Sequence, residues 1–383
     1  MNRRDFMEVS AKAASLAALA KFGMFSFSPA NASEEFEWAH EQFKYQLGDL
    51  PLQKGGSLKD AFLLVDTHGT PNADKSNVIV YPTCYSGNHF LNRMSLGFDR
   101  AMDPSKYCII IPNMIGCGQS SSPSNQAAPQ DGPRFPEVTY YDQIEAQHRL
   151  LTSHYGINNP LIYVGFSMGG QQAYHWGVQH GANTGAIVPV AGSAKTSVHN
   201  WLFLEGLKQT MINSIDFNGG DYASQPEKAI RAFATVYASW WYDQTGYREG
   251  LHLDSFGEGT FEDLNAYLTN FAFAHFNSFD ANDLMAMLNT WQIGDIGNHE
   301  KYGGDWKAAL GDITCPALVM PSETDLYFPP EDNEIEVSLM PDAELAVIPS
   351  KRGHMGGAMV PGLAPEEANF ADMQLKKLIA RIT

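Results

Sequence analysis

A ten-residue stretch, residues 161–170, places a short apolar run directly before a Gly-x-Ser-x-Gly motif. A helical pattern follows, from Gln171 to about His180. Strand, sharp turn and helix in this order form the context of a nucleophile elbow. Gly165 and Gly169 lack a Cβ, so the strand and the helix can approach each other closely around a strained turn. We predict that Ser167 lies at the apex, beside free N–H groups at the positive end of the helix.

Length and charge limit what the chain does. Its 383 residues suffice for one large α/β domain with an insertion, or for two domains. The formal net charge of −18 at pH 7 argues against nucleic acid and anionic membrane as partners.

The four cysteines show neither a C-x-x-C motif nor a zinc-like spacing, so we expect mostly free thiols. A bridge between Cys108 and Cys117 remains an open alternative. No cofactor or metal is implied.

The N-terminal residues 1–32 have the pattern of a targeting segment. Arg3 and Arg4 resemble the start of a twin-arginine signal, an Ala-rich stretch follows, and Ala30-Asn31-Ala32 is a small-x-small cleavage site. No later run reaches transmembrane length, so no membrane anchor is expected. We therefore expect the protein to be exported already folded through the Tat pathway, to the periplasm.

Apolar strand-like runs alternate with amphipathic helical runs over residues 33–192 and again over 313–383. This alternation predicts an α/β fold with a mainly parallel sheet covered by helices on both faces. Between them, residues 193–312 are helical and rich in aromatics, which predicts an inserted helical lid. The predicted strands are Ala61–Val65, Val78–Tyr81, Tyr107–Pro112, Asn159–Phe166, Ala186–Val190, Cys315–Met320 and Leu345–Pro349. The predicted helices include Leu91–Met102, Thr139–Tyr155 and Pro365–Ile382.

A serine hydroxyl becomes a good nucleophile only when a base removes its proton and a third group orients that base. Asp325 and His354 each follow a predicted strand, in the order Ser, Asp, His that this fold context requires. His354 is the predicted base and Asp325 its orienting acid, with Glu323 as a rival acid. His68 and His89 are weaker candidates at the site edge.

The negative charge that develops on a reacting carbonyl oxygen needs two preorganised N–H donors. We predict that the backbone of Met168 supplies one of them. The second donor is expected in the loop after the Val78–Tyr81 strand, where we favour Tyr85 and keep Cys84 as the alternative. In the competing interpretation this loop is an ordinary turn whose amides face water.

Several segments resemble those of a known family, from about residue 42 to the C-terminus. They are PSKY (104–107), PNMIG (112–116), SSSPS (120–124), GFSMGGQQAY (165–174), AGSAKTS (191–197) and DLYFP (325–329). The chain resembles the α/β-hydrolase fold and, within it, the homoserine O-acetyltransferase-like family. This resemblance implies a Ser167–Asp325–His354 triad, a helical lid, and a homodimer built through that lid.

The family contains both acyl-CoA-dependent O-acyltransferases and hydrolases of small esters. The acetyltransferases carry an Asp directly after the catalytic His, whereas this chain has Met355 there. An exported enzyme would also not be expected to meet acetyl-CoA. We therefore expect a serine esterase that acts on a small-molecule ester through an acyl-enzyme. The O-acyltransferase is the alternative, and a binding protein that kept the fold is a third interpretation.

Overall fold

Eight strands form one sheet in this computed structural model, which describes residues 36–383. The predicted signal segment, residues 1–32, lies outside the described residues and stays a prediction. Across the sheet the strands follow the order β1-β2-β4-β3-β5-β6-β7-β8. They are β1 (His40–Pro51), β2 (Ser57–His68), β3 (Val78–Val80), β4 (Cys108–Pro112), β5 (Ile162–Phe166), β6 (Ala186–Val190), β7 (Ala317–Val319) and β8 (Ala343–Leu345).

The central strands are parallel and buried on both faces, as their continuous apolar runs predict. Every residue of β4, β5 and β6 is buried. The parallel pairs include Val80 with Tyr163, and Phe166 with Val190. Strands β1 and β2 form an antiparallel pair at one edge, and β2 pairs antiparallel with β4. The expected mainly parallel sheet is therefore confirmed, and its first two strands add an antiparallel edge.

Helices cover both faces of the sheet. In the described chain they are α1 (His89–Arg93), α2 (Tyr140–Arg149), α3 (Met168–His180), α4 (Val198–Ile212), α5 (Glu227–Ala238), α6 (Gln244–Arg248), α7 (Leu264–Tyr267), α8 (Ala274–Asn277), α9 (Ala281–Gln292), α10 (Trp306–Gly311), α11 (Pro330–Leu339) and α12 (Pro365–Ile382). Helix α2 starts at a Thr139–Asp142 capping box and continues as a π-helical segment, Leu150–Tyr155. None of the helices in residues 36–383 is long and apolar enough to cross a membrane.

Two sequence-predicted elements differ from the structure. The helix predicted for Leu91–Met102 is wrong beyond α1, which ends at Arg93. The N–H groups of residues 94–96 bond to carbonyls three residues back, as in turns, and Asp99 then takes a left-handed conformation with φ of 61°. The strand predicted for Leu345–Pro349 lies earlier, as β8. Beyond β8 only Ile348 makes a bridge, to Ser322.

The segment between β6 and β7 carries helices α4 to α9, which we call the lid. Its aromatic side chains join the apolar layer on one face of the sheet, and Phe233, Tyr267 and Trp291 are almost fully buried. Helix α10 falls within the predicted lid range but contributes Ala309 and Leu310 to the layer on the opposite face. All four cysteines are buried free thiols.

Candidate active site

The turn between β5 and α3 holds Ser167 in a strained backbone conformation, with φ of 58° and ψ of −122°. Such a conformation costs a non-glycine residue about 1–3 kcal/mol and persists only where the surroundings enforce it. A Cβ on Gly165 would lie 2.1 Å from the carbonyl oxygen of Gly169, which explains the glycine. The N–H of Ser167 donates to the carbonyl of Val190 at 2.9 Å, so the neighbouring strand fixes the turn.

Three side chains that are distant in sequence meet at this turn. His354 Nε2 lies 2.9 Å from Ser167 Oγ, and His354 Nδ1 lies 2.6 Å from Asp325 Oδ2. Each of the three residues is 3% exposed. A neutral imidazole whose Nδ1–H donates to the carboxylate presents an unprotonated Nε2 to the serine hydroxyl. The arrangement therefore suits removal of the Ser167 proton.

The carboxylate of Asp325 is oriented by the loop that follows β7. Its Oδ1 accepts hydrogen bonds from the N–H groups of Tyr327 and Phe328, at 2.8 and 3.2 Å. This leaves Oδ2 for His354. Glu323, the rival acid, is exposed and accepts a bond from the Ser350 N–H at 3.3 Å. The structure thus brings Asp325, and not Glu323, into hydrogen-bonding contact with the imidazole.

Aromatic rings and the lid hold the imidazole of His354 in place. Phe166 stacks on it, and Tyr327 meets it edge-on, each with 4.7 Å between ring centroids. The preceding Gly353 has φ of 56°, and a Cβ there would lie 2.8 Å from the carbonyl oxygen of Trp241 in the lid. The histidine loop is therefore packed directly against the lid backbone.

The predicted oxyanion donors lie on two elements that touch each other. Met168 is the first residue of α3, so its N–H is among the four that have no acceptor within the helix. The loop at Thr83–Gly87 is held by Gln172, whose Nε2 donates to the carbonyl of Thr83 at 3.0 Å. Tyr85 and Cys84 both line the cavity beside Ser167. The choice between their N–H groups stays a prediction.

A small cavity of about 70 Å³ reaches the nucleophile beneath the lid. Two serines and two histidines line it: Ser86, Ser167, His275 and His354. The remaining lining residues are Cys84, Tyr85, Leu91, Phe166, Tyr237, Trp241, Phe256, Phe271, Met355, Ala358, Val360 and Leu363. Sequence reasoning did not identify Ser86 or His275. The Ser-Gly step in the predicted oxyanion loop was the one signal for Ser86, and no motif marks His275.

His68 and His89 do not line the cavity at Ser167. His68 belongs to a cluster at the end of β2, and the side chain of His89 contacts those of Gln42 and Asn113. Asp66 Oδ1 and Oδ2 lie 2.7 Å from His40 and 2.9 Å from His68, and Arg93 binds both oxygens. Burial raises the pKa of Asp66, but the bonds from these three partners outweigh it and hold this pKa well below its usual range. His68 Nδ1 accepts from Trp38, so its Nε2 carries the proton. His40, Asp66 and His68 are near enough to one another to hold a metal ion. The guanidinium of Arg93, however, already binds both carboxylate oxygens of Asp66.

Comparison with known proteins agrees with this geometry. A family model described as the alpha/beta hydrolase fold matches residues 77–356. An ethyl acetate hydrolase of Pseudomonas veronii is 38% identical over 81% of this chain and 88% of its own. The solved acetylester hydrolase from Corynebacterium glutamicum superposes with a TM-score of 0.83 at 35% identity, over 89% of this chain and 96% of its own.

An acyltransferase is a more distant relative. A homoserine O-acetyltransferase of Chlorobaculum parvum is 29% identical over 79% of this chain and 86% of its own. The family model covers well over half of the chain, and the hydrolases share more of its sequence than this acyltransferase does. By these matches, and by its sheet order and serine turn, the chain belongs to the α/β-hydrolase family.

Proposed function

We propose that this chain is a serine esterase that hydrolyses esters of short-chain carboxylic acids, acetate esters in particular, through an acyl-enzyme on Ser167. The observation that carries the proposal is the hydrogen-bonded series Ser167–His354–Asp325 at the end of a small, mostly apolar cavity. The relatives named ethyl acetate hydrolase and acetylester hydrolase support the substrate class.

The chemistry follows from the positions of the three side chains. Ser167 Oγ attacks the ester carbonyl carbon while His354 Nε2 takes its proton. The carbonyl oxygen becomes an oxyanion, for which the N–H of Met168 and a second N–H from Tyr85 or Cys84 are the proposed donors. His354 then gives the proton to the departing alcohol, and the acyl group stays on Ser167 as an ester. Water, deprotonated by His354, releases the acid and restores the enzyme.

The cavity favours water over an amino-acid acceptor. Among the described residues that line it there is no carboxylate and no lysine or arginine. The ammonium and carboxylate groups of homoserine would therefore be desolvated without a partner, which costs several kcal/mol. Met355 occupies the position after His354 and offers only a thioether. These features support hydrolysis over acyl transfer.

Chain-length dependence tests the proposal. We expect kcat/KM for p-nitrophenyl acetate and butyrate to exceed that for the octanoate by about tenfold or more, because a long acyl chain overfills a small rigid cavity. With acetyl-CoA and homoserine present, we expect the ester to be hydrolysed and no O-acetylhomoserine to form. Acyl transfer to homoserine that outpaces hydrolysis would instead assign the acyltransferase function.

We further propose that two copies pair through the lid helix α4. Val198, Trp201, Leu202 and Ile212 are 42–79% exposed, and helical geometry places them within a sector of about 100°. Exposed apolar patches of this kind mark interaction sites. In a two-fold dimer the patch meets its own copy, so an apolar surface is covered by an apolar surface. The resemblance to the lid-mediated homodimers of the family supports the same partner.

Sedimentation equilibrium tests this pairing. The unmodified chain should sediment at twice its chain mass, and Leu202→Glu should raise the dissociation constant about 100-fold or more, because two like charges then face each other across the dimer axis. Met373→Glu is the control, since Met373 is a similarly exposed apolar residue, on α12. Monomeric unmodified protein, or an intact Leu202→Glu dimer, would refute the pairing.

A further inference from the structure

The loop that carries the predicted oxyanion donors contains a second strained serine. Ser86 is the third residue of a four-residue turn closed by the Gly87 N–H, which donates to the Cys84 carbonyl at 3.1 Å. Its φ is 47°, a conformation that in such turns normally selects Gly or Asn. Strained backbone persists where function requires a particular side chain. The residue is 7% exposed and lines the same small cavity as Ser167.

A histidine from the lid fixes the hydroxyl of Ser86. His275 Nε2 lies 3.0 Å from Ser86 Oγ, and within residues 36–383 it is the sole hydrogen-bond partner of this oxygen. Burial lowers the pKa of His275 to about 4, so near neutral pH the ring carries one N–H.

The other ring nitrogen decides which tautomer is present. His275 Nδ1 is buried and has no hydrogen-bond partner within the described part of the chain. Leaving a donor N–H without an acceptor in such a place costs about 1–3 kcal/mol, and a bare lone pair is tolerated better. Ser86 lines the cavity, where solvent or a substrate can accept its hydroxyl proton, whereas the buried Nδ1 of His275 has no such acceptor. The ring proton is therefore assigned to Nε2 and is donated to Ser86 Oγ. The hydroxyl proton of Ser86 is then left without an acceptor among the residues that the structure describes.

We propose that Ser86 donates this hydroxyl proton in a hydrogen bond to the oxyanion of the ester, as a side-chain donor beside the backbone N–H groups, and that His275 is the positioning residue that orients it. Serine side chains are suitable oxyanion donors. The inference rests on the proposed esterase function and deepens it. It also makes the lid part of the oxyanion site, because His275 lies on α8.

The variant Ser86→Gly distinguishes the effect of losing the hydroxyl from the effect of relieving the backbone strain. Ser86→Gly relieves the positive φ but also removes the acceptor of the His275 N–H, so we expect its Tm to lie above that of Ser86→Ala, together with a fall in kcat of about 10²-fold and little change in KM. Ser86→Ala should lose the same kcat but keeps the positive φ. Asp99→Gly is the control, because it relieves a similar φ of 61° at an exposed site and should leave kcat unchanged. A Ser86→Gly enzyme with full kcat, or one that is no more stable than Ser86→Ala, would overturn the proposal.

The histidine is tested by a matched pair of variants. In His275→Phe the phenyl ring takes the space of the imidazole among the surrounding aromatic side chains but donates no hydrogen bond. This variant should lower kcat about tenfold. His275→Gln places an amide N–H near Nε2 and should recover most of that loss. Because His275 acts through Ser86, the double variant Ser86→Gly/His275→Phe should be no slower than Ser86→Gly alone. Additive losses would show that the two residues act independently and would refute the pair.

One further measurement separates this inference from the esterase proposal. A fluorophosphonate probe phosphonylates Ser167 with loss of fluoride, and its phosphoryl oxygen occupies the oxyanion position. Ser86→Gly should slow this labelling even if no ester tried is hydrolysed, in which case the substrate class alone is wrong. Normal labelling of Ser86→Gly would refute the side-chain donor whatever the substrate.

Discussion

Ser167→Ala lowers kcat for p-nitrophenyl acetate by about 10⁵–10⁶-fold, the loss expected when the nucleophile of such a triad is removed. Alanine keeps the Cβ and adopts the same backbone strain as serine, so the fold should be unchanged. The residual rate then reflects binding and oxyanion stabilisation of the attack by water. Stopped-flow release of p-nitrophenol from the unmodified enzyme should show a burst, and the variant should show none.

Ser193→Ala is a suitable control for this loss. Ser193 is also buried, at 3% exposure, and follows the neighbouring strand β6, but its hydroxyl donates to the carbonyl of Lys195 and not to a histidine. This variant should retain activity. If Ser167→Ala kept more than about a hundredth of the unmodified rate, an acyl-enzyme on Ser167 would be excluded.

The nucleophile turn could be predicted from sequence because its constraints are local. Two glycines and a serine at fixed spacing, between an apolar strand and a helix, define the turn almost completely. The positions of Asp325 and His354 followed from topology, since loops after parallel strands meet at one edge of the sheet. The structure brings the three side chains together, while their catalytic roles stay predictions that substitution tests.

Other features depend on contacts that no local pattern records. The helix predicted to extend to Met102 ends at Arg93, and the chain continues in turns through Asp99, although the apolar spacing continues past them. His275 lies among many lid aromatics, and only the three-dimensional packing places it against Ser86, 189 residues earlier. Helical periodicity predicts which side of a helix is apolar, but it does not identify the loop that this side covers.

Asp325→Asn should lower kcat/KM by about 10⁴-fold, although the substitution is nearly isosteric. The asparagine oxygen can still accept hydrogen bonds from the N–H groups of Tyr327 and Phe328, which bind Asp325 Oδ1 in the unmodified protein. The amide NH₂ then takes the place of Oδ2 and faces His354 Nδ1, 2.6 Å away, where two donors cannot bond. The imidazole must move its proton to Nε2, and in that tautomer it cannot accept the Ser167 proton.

Glu323→Gln is the matched control, because it neutralises the rival acid two residues earlier in the same loop. Glu323 is exposed and bonded to the Ser350 N–H, so its loss should leave kcat/KM within about twofold and Tm nearly unchanged. Kinetics over pH 5–9 with both variants decides between the two acids. A large loss in Glu323→Gln with Asp325→Asn fully active would reverse the assignment, and the orienting contact at 2.6 Å would then have no catalytic role.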